Sequence, residues 1–425
     1  MRRAALMLAV VLCCTGCVQG VNIDDQSYAL ILGIDRGENA RYKLTVAGPN
    51  MGASAEQANS SGMYYAAMED DSIYGAVNLI NVSMPFKVNY LHTNYIAVSE
   101  EIAKSGELTE LLMNIMDLMR VKRTSKVFVT SCSAEDFVSG LSSTLDRNFA
   151  KSQKTLAMET KLSGLFVDGD MRSVFESVKH GLFDKSLPLG AFNYEAADRT
   201  AKRKSDGVSV SGDSDAASKG ESGGKKEEGK SSPEPSPKPS ASPEEAGGLP
   251  REGGLRSEIY GAALFSRGKM VGKLTGEQTL IMMMGKGGYK TGMLDFKSGG
   301  EMWPVLVVQR SKPKVRVEFA DGAPRAEITV KLEICFRGAG ARVMDKQTLD
   351  RLDTDFKKYI ENGLSEVALI CAEKKSDVFG LRKAAIKHAA TIQQWENEIR
   401  DMEFESAPVK WNVQTKICKT LNVGK

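Results

Sequence analysis

At 425 residues the chain has room for two or three domains, and its 42% apolar and 26% charged content is that of ordinary globular protein. A formal net charge of +3 gives no electrostatic basis for nucleic-acid binding. Past the N-terminal segment no run of 18 apolar residues occurs, so nothing further in the sequence is expected to span a bilayer.

The chain opens MRRAALMLAVVLCCTGCVQG. Arg2 and Arg3 form a basic head, residues 4–12 a short apolar run, and Thr15-Gly16 a pair of small residues, which is the layout of a secretory signal peptide. Cys14 and Cys17 make a C-x-x-C, but a redox pair needs a folded strand-to-helix scaffold around it, and none is here. The stretch ending in Cys17 resembles the lipobox of bacterial lipoproteins, where cleavage precedes the cysteine and a diacylglycerol thioether holds the new N-terminus. Cys14 stands where that motif usually has Leu, a departure. The expectation is a signal peptide over residues 1–16 and a lipid on Cys17, with no other cofactor.

A first body is expected over residues 17–200. Runs 27–35 and 41–48 read as strands around a turn at 37–39. Residues 63–80 place Met68, Ile73, Val77 and Ile80 at helical spacing. A strand at 92–99 leads into an amphipathic helix at 101–119, with Leu108, Leu111, Leu112, Ile115 and Leu118 on one side. Another strand, 126–131, precedes a helix from 134 with Ser133 as its N-cap and Asp136 favourably near its dipole. Alternating strands and helices make this an α/β or α+β unit.

Residues 201–254 change character. Ser, Gly, Pro, Lys and Glu dominate and aromatics are absent, so the segment cannot bury enough apolar surface to offset its ordering entropy. It is expected to be a disordered linker with a semi-stiff stretch at PEPSPKP, either separating two independently moving bodies or inserted in a surface loop.

The second body is expected over 255–425. Residues 261–274 read as a hairpin around Arg267-Gly268, and Thr275 with Gln278 forms a capping box opening a helix. Strands at 314–319 and 326–336 alternate cleanly about a turn at 321–324, with Ile328, Val330, Leu332, Ile334 and Phe336 facing a core. A helix at 346–374 carries Leu349, Leu352, Phe356, Ile360, Leu364, Val367 and Cys371 on one stripe. A last helix at 377–401, with Ile386, Trp395 and Ile399, precedes a strand at 408–420. The fold class is α+β: two mixed bodies joined by a linker, the C-terminal one an antiparallel sheet packed by long helices.

No pattern of residues specifies a reaction. The G-x-S-x-G at 220–224 falls mid-linker, away from the strand-to-helix turn a nucleophile needs. GKGGYKTG at 285–292 lacks Gly before Lys290 and follows a helix rather than a strand, so it reads as a turn. His92, His180 and His388 are far apart, and the carboxylate runs at Asp24-Asp25, Glu69-Asp70-Asp71 and Glu100-Glu101 show no acid/base spacing. Cys132, Cys335, Cys371 and Cys418 have no metal-ligand spacing. Cys371 reads as a core residue. Cys335 and Cys418 lie on polar faces of strands; an exported location permits a bridge between them, but free thiols are the expectation.

Whole segments carry more than single residues. YALILGIDRGENARYKLTV, with a turn at Gly33, Ile34 and Asp35; LHTNYIAVSEEIAKSGEL; LPLGAF; GAALFSRGKMVGKLTGEQT; and KSDVFGL, followed by Trp395, occur in an order that resembles the Ger(x)C family, the lipoprotein C subunits of spore germinant receptors. The sequence after Cys17 departs from the family's usual CWDRRE, and residues 201–254 look like an insertion. Structural roles are expected for the motif residues: Gly33 and Asp35 in a turn, Asp377 as N-cap of the last helix, Gly380 at a close-packing position. The resemblance implies a non-enzymatic lipoprotein on the outer face of the spore inner membrane. Its partners would be a transporter-like B subunit and an A subunit, with the bilayer reached through Cys17. A different class, a lipoprotein binding a small solute between its two bodies, is the alternative, and the long linker argues against it.

Overall fold

The computed structural model describes residues 26–49, 63–142, 159–196, 241–251, 256–336 and 345–418. In chain order come β1 (Gln26–Tyr28), β2 (Ile31–Asp35), β3 (Tyr42–Pro49), β4 (Met63–Asp70), α1 (Ile73–Ser83), β5 (Lys87–Asn89) and β6 (Tyr95–Ser99). They are followed by α2 (Glu100–Ser105), α3 (Leu108–Met119), β7 (Lys126–Thr130), α4 (Ala134–Ser142), α5 (Met171–His180) and β8 (Leu187–Phe192). The C-terminal part gives β9 (Ser257–Ser266), β10 (Lys269–Leu274), α6 (Gly276–Lys286), β11 (Thr291–Ser298), β12 (Glu301–Val308), β13 (Lys314–Ala320) and β14 (Ala323–Phe336). The long helix α7 (Lys346–Glu373), the short α8 (Leu381–Ala385) and β15 (Val409–Ile417) complete it.

An eight-stranded sheet runs β10-β9-β8-β7-β6-β2-β3-β4. β2, β6, β7 and β8 are parallel at its centre, and antiparallel strands extend both flanks. β2 and β6 are buried at every position, because helices cover both faces of a parallel centre. One face packs Leu32, Ile34, Ile96 and Val98 against Ile80, Leu112 and Ile115 of α1 and α3, with α2 and α5 beside them. The other packs Ile31, Ala97 and Phe128 against Phe137 and Val138 of α4.

The second sheet runs β11-β12-β14-β13, with β15 on β14. Its core joins Phe296, Val305, Ile328 and Ile334 to Phe356 and Ile360 of α7. The expected α7 stripe is buried from Leu352 to Cys371, and Leu349 packs at its margin. The α+β class stands, with one amendment: β15 is parallel to β14, so the sheet is not purely antiparallel.

The structure differs from the sequence reading in several places, each for a local reason. Residues 63–70 form edge strand β4 rather than the start of a helix, since β3 offers them a full antiparallel partner. The helix expected at 101–119 breaks at Gly106, which takes φ 91°. Within α3 itself, Met119 continues the face of Leu108, Leu112 and Ile115 while Leu118 falls at its margin, so Met119 is buried and Leu118 is 51% exposed. The helix expected at 377–401 is cut into α8 and shorter turns. His388 bonds the Val317 carbonyl, and Thr391 caps a fresh start by accepting from the Gln394 N–H.

The hairpin β9–β10 turns at Arg267-Gly268 as expected, both at positive φ. It does not belong to the second body alone. β9 pairs with β8, and its alternate side chains serve both cores: Ala263 and Phe265 face the first, Ala262 and Leu264 the second. Residues 241–251 likewise fold back on the sheet rather than joining the linker. Glu258, 6% exposed, accepts from the Gly247 and Leu249 N–H groups and pairs with Arg251 at 3.1 Å. Cys335 and Cys418 are disulfide-bonded, not free. The parallel register Ile334↔Ile417 brings the next residues of β14 and β15 to a Cα separation of 5.3 Å, within bridging range.

Candidate functional site

β2, β6 and β7 all finish at one end of the eight-stranded sheet, where open parallel sheets usually carry their sites. A cleft of about 450 Å³ lies there, between Cys132, Leu189, Tyr194, Gly247, Lys273 and Gln278. Its reactive-looking groups are restrained. Burial pushes the Cys132 thiol up to about 12, against an opposing hydrogen bond from the Phe192 N–H to its sulfur, so at neutral pH it is no thiolate. Tyr194 donates to Asp136, and Lys273 is ion-paired with Glu100. Nothing among these groups pairs a nucleophile with a base.

Around the same end two of the carboxylate runs noted in the sequence, those at Glu69 and Glu100, act as staples. Glu69 accepts from the Glu38 and Asn39 N–H groups, and Asp71 from the Arg41 N–H, tying the β2–β3 turn to the end of β4. Glu107 holds Arg36 at 2.7 Å and Arg41 at 3.1 Å and accepts from the Tyr42 hydroxyl at 2.9 Å. The hydrogen bond from Arg36, above all, draws the Glu107 carboxyl down to about 2.

Gly33 and Asp35 lie within β2, not in a turn; the turn follows at 36–41. A Cβ on Gly33 would sit 3.0 Å from Val138 and 3.1 Å from the Ala134 carbonyl, so glycine lets α4 lie directly on the strand. Asp35 then receives the first N–H groups of α4, from Ala134 at 2.7 Å and Glu135 at 3.0 Å. Ser133 supplies the expected cap to Asp136 at 3.0 Å. Burial pushes Asp35 up to about 6, while those two N–H bonds pull the other way.

The second motif residue builds the seam between the two sheets. Asp377 is 2% exposed and accepts from the Leu381 and Arg382 N–H groups at 2.8 and 2.9 Å. Its own N–H donates to Asp184, whose other carboxylate oxygen accepts from the Arg267 N–H in the β9–β10 turn. The Ser376 hydroxyl donates to the Phe265 carbonyl, and Arg382 pairs with Glu405 at 3.1 Å. Lys286 adds a cation within electrostatic reach of Asp377 and Asp184. Burial pushes Asp377 up to about 6, opposed by the two capping N–H groups.

Asp377 therefore accepts the first N–H groups of α8 from three residues before its N-cap, which is Gly380 rather than Asp377 as expected, and that helix is shorter. Gly380 has a different role from the expected one. A Cβ there would meet only Phe183 at 3.9 Å, and what demands glycine is its φ of 71°. Trp395 packs on the rim of the second core. Cys17, Asp24-Asp25 and the G-x-S-x-G at 220–224 lie outside the described residues. The histidines are dispersed: His92 meets the Tyr28 ring edge-on, and His388 is bound to a carbonyl. Among the described residues there is no cluster suited to a metal and no helix long and apolar enough to cross a membrane. Asp184, Arg382 and Glu107 escaped the sequence reading, since each stands alone in its segment and gains meaning only from residues distant in the chain.

Two family models match the chain in order. "Spore germination protein N-terminal domain" covers residues 19–184, and "Spore germination B3/GerAC like, C-terminal" covers 260–420. The chain is similar to spore germination protein GerQC of Bacillus cereus, 25% identical over 160 residues, which span 36% of this chain and 45% of that protein. It is also similar to spore germination protein KC of Bacillus subtilis (strain 168), 25% identical over 228 residues, 49% of this chain and 55% of that one. The chain thus spans about half the length of the curated relatives it matches. The crystal structure of the GerBC protein shares the fold, at a TM-score of 0.50 and 15% identity, covering 91% of this chain and 97% of that one. With both models matched in sequence order and the fold shared along almost the whole chain, the protein belongs to the Ger(x)C family of spore germination proteins.

Proposed function

We propose that this chain is the C subunit of a spore nutrient germinant receptor, a non-enzymatic lipoprotein acting through protein–protein contacts. The observation that carries this reading is the ordered match of both spore-germination models to the two halves of the chain. A diacylglycerol thioether on Cys17 places the folded part on the outer face of the spore inner membrane. There it docks on a transporter-like B subunit and an A subunit, so that nutrient binding elsewhere in the complex is relayed to ion release. The seam at Asp184 and Asp377 supports a relay role, because it binds the two sheets into one unit through buried hydrogen bonds.

Replacing Cys17 with Ala is expected to release the protein from the spore membrane fraction and to slow nutrient-triggered germination. Unchanged membrane partition in that variant would count against the lipid anchor. The cleft of about 450 Å³ is large enough for a small nutrient and favours capture of a solute as a second reading. A rise in melting temperature with amino acids or sugars, at millimolar concentrations, would select that reading instead.

A further inference from the structure

The opposite end of the eight-stranded sheet, where β2, β6 and β7 begin, has a different surface. Helix α1 runs down to this end, and none of its 11 residues is charged, although it lies on the outside of the molecule. Its outward side carries Val82, 86% exposed, and the following loop presents Phe86 at 40%. Leu91 and Leu118 are exposed at the same end, at 43% and 51%. A charge-free surface helix that ends in exposed apolar side chains is one that water alone does not explain.

Cations lie at the same end. Lys87 begins β5, and Arg120, Lys122 and Arg123 occupy the connection from α3 to β7. All four are exposed, and none forms an ion pair with another described residue. Of the carboxylates at this end, Asp168 pairs with Lys126, Asp170 holds the N-terminus of α5 and Glu176 meets Arg172, so the exposed Asp117 of α3 stands alone against the four cations. Complementing the C-terminal dipole of α3 would need one such cation, not three in four positions beside apolar side chains.

The chain itself says what covers this end. β1 pairs in parallel with β5, Gln26 opposite Lys87, so the backbone arriving from the N-terminus enters beside Phe86. Cys17 stands nine residues before Gln26, and nine residues extend to at most about 30 Å. On the reading that Cys17 carries a lipid, the bilayer surface lies within that distance of this end.

We propose that the end of the sheet bearing Val82, Phe86 and the Arg120–Arg123 connection rests on an anionic bilayer surface. The apolar side chains enter the headgroup boundary and the cations meet lipid phosphates. This orientation turns the finishing end of the strands, with its cleft and its ion-paired staples, away from the lipid and toward partners.

The test uses the chain from residue 18, which retains every described residue and carries no lipid. Mixed with sonicated vesicles, it should sediment with phosphatidylglycerol at low salt and stay in solution with phosphatidylcholine. Reversing three charges, Arg120→Glu with Lys122→Glu and Arg123→Glu, should weaken partition by ~100-fold or more. Val82→Asp with Phe86→Asp should weaken it by roughly tenfold. Met293→Asp with Met302→Asp, which alters exposed apolar residues of the second sheet, should leave it unchanged. A chain that ignores phosphatidylglycerol, or variants at this end that bind as the parent does, would overturn the proposal. Because no lipid is attached, this result is independent of the Cys17→Ala experiment: a failed anchor and a failed docking face are separately visible.

Discussion

Asp35 and Asp377 hold the first N–H groups of a helix in different parts of the molecule, and they do so over different lengths of chain. Asp377 reaches four and five residues ahead to Leu381 and Arg382. Asp35 reaches across 99 and 100 residues to Ala134 and Glu135. The local cap stands alone, since Gly380, at the start of α8, has no side chain to help. The remote one shares its helix with Ser133, which already satisfies the Asp136 N–H. A helix with one cap depends on it for existence; a helix with two uses the second to choose which strand it lies on.

This difference predicts an order of effects. Asp377→Ala leaves two buried N–H groups without acceptors and frees the segment that meets Asp184, so at pH 5 it should cost about 4 kcal/mol by urea unfolding. Second in size is a dependence on pH. Both carboxyls have folded pKa values of about 6 against an ordinary 3.8. The folded state therefore holds the proton more tightly than the unfolded chain. The stability this contributes is complete below pH 4 and is lost as pH rises through 6, by up to about 3 kcal/mol for each group. Asp35→Asn and Asp377→Asn remove the titration, so each variant should gain on the parent between pH 4 and pH 7. A parent-minus-variant difference that is flat with pH would show that the N–H groups, not burial, govern these carboxyls.

Asp35→Ala should cost about 2 kcal/mol at pH 5, less than its counterpart, because Ser133 still caps α4. If it proves the more damaging of the two, the contrast drawn between sole and shared caps fails. Smallest is Gly33→Ala. The new methyl must displace Val138 and the Ala134 carbonyl by a few tenths of an ångström, for a cost of about 1 kcal/mol. Combined with Asp35→Ala, its cost should fall below the sum of the two, since a loosened α4 no longer resists the methyl.

Much of the local structure was legible. The β9–β10 turn, the Thr275–Gln278 capping box and the β13–β14 hairpin follow from short-range backbone chemistry, as does the buried stripe of α7. What misled was periodicity without context. Met68 shares helical spacing with Ile73 and Ile80, yet it pairs in a strand with Leu44 because β3 had a free edge. Leu118 lies at the margin of the α3 stripe, and the face shared by Leu108, Leu112 and Ile115 continues at Met119 instead. Asp184 gave no signal in its own segment, because its partners lie at Arg267 and Asp377.

The sequence by itself determined most of the helices, turns and alternating strands, and through the order of its blocks it placed the chain in its family. Those properties depend on residues within a few positions of one another, or on segments recognised whole. Only the tertiary structure decided that β9 serves two cores, that Asp35 receives α4, and that Cys335 meets Cys418. Each of those pairings joins groups far apart in the chain. Edge availability and burial select among many partners of equal local merit, and that selection exists only once the sheets have closed around it.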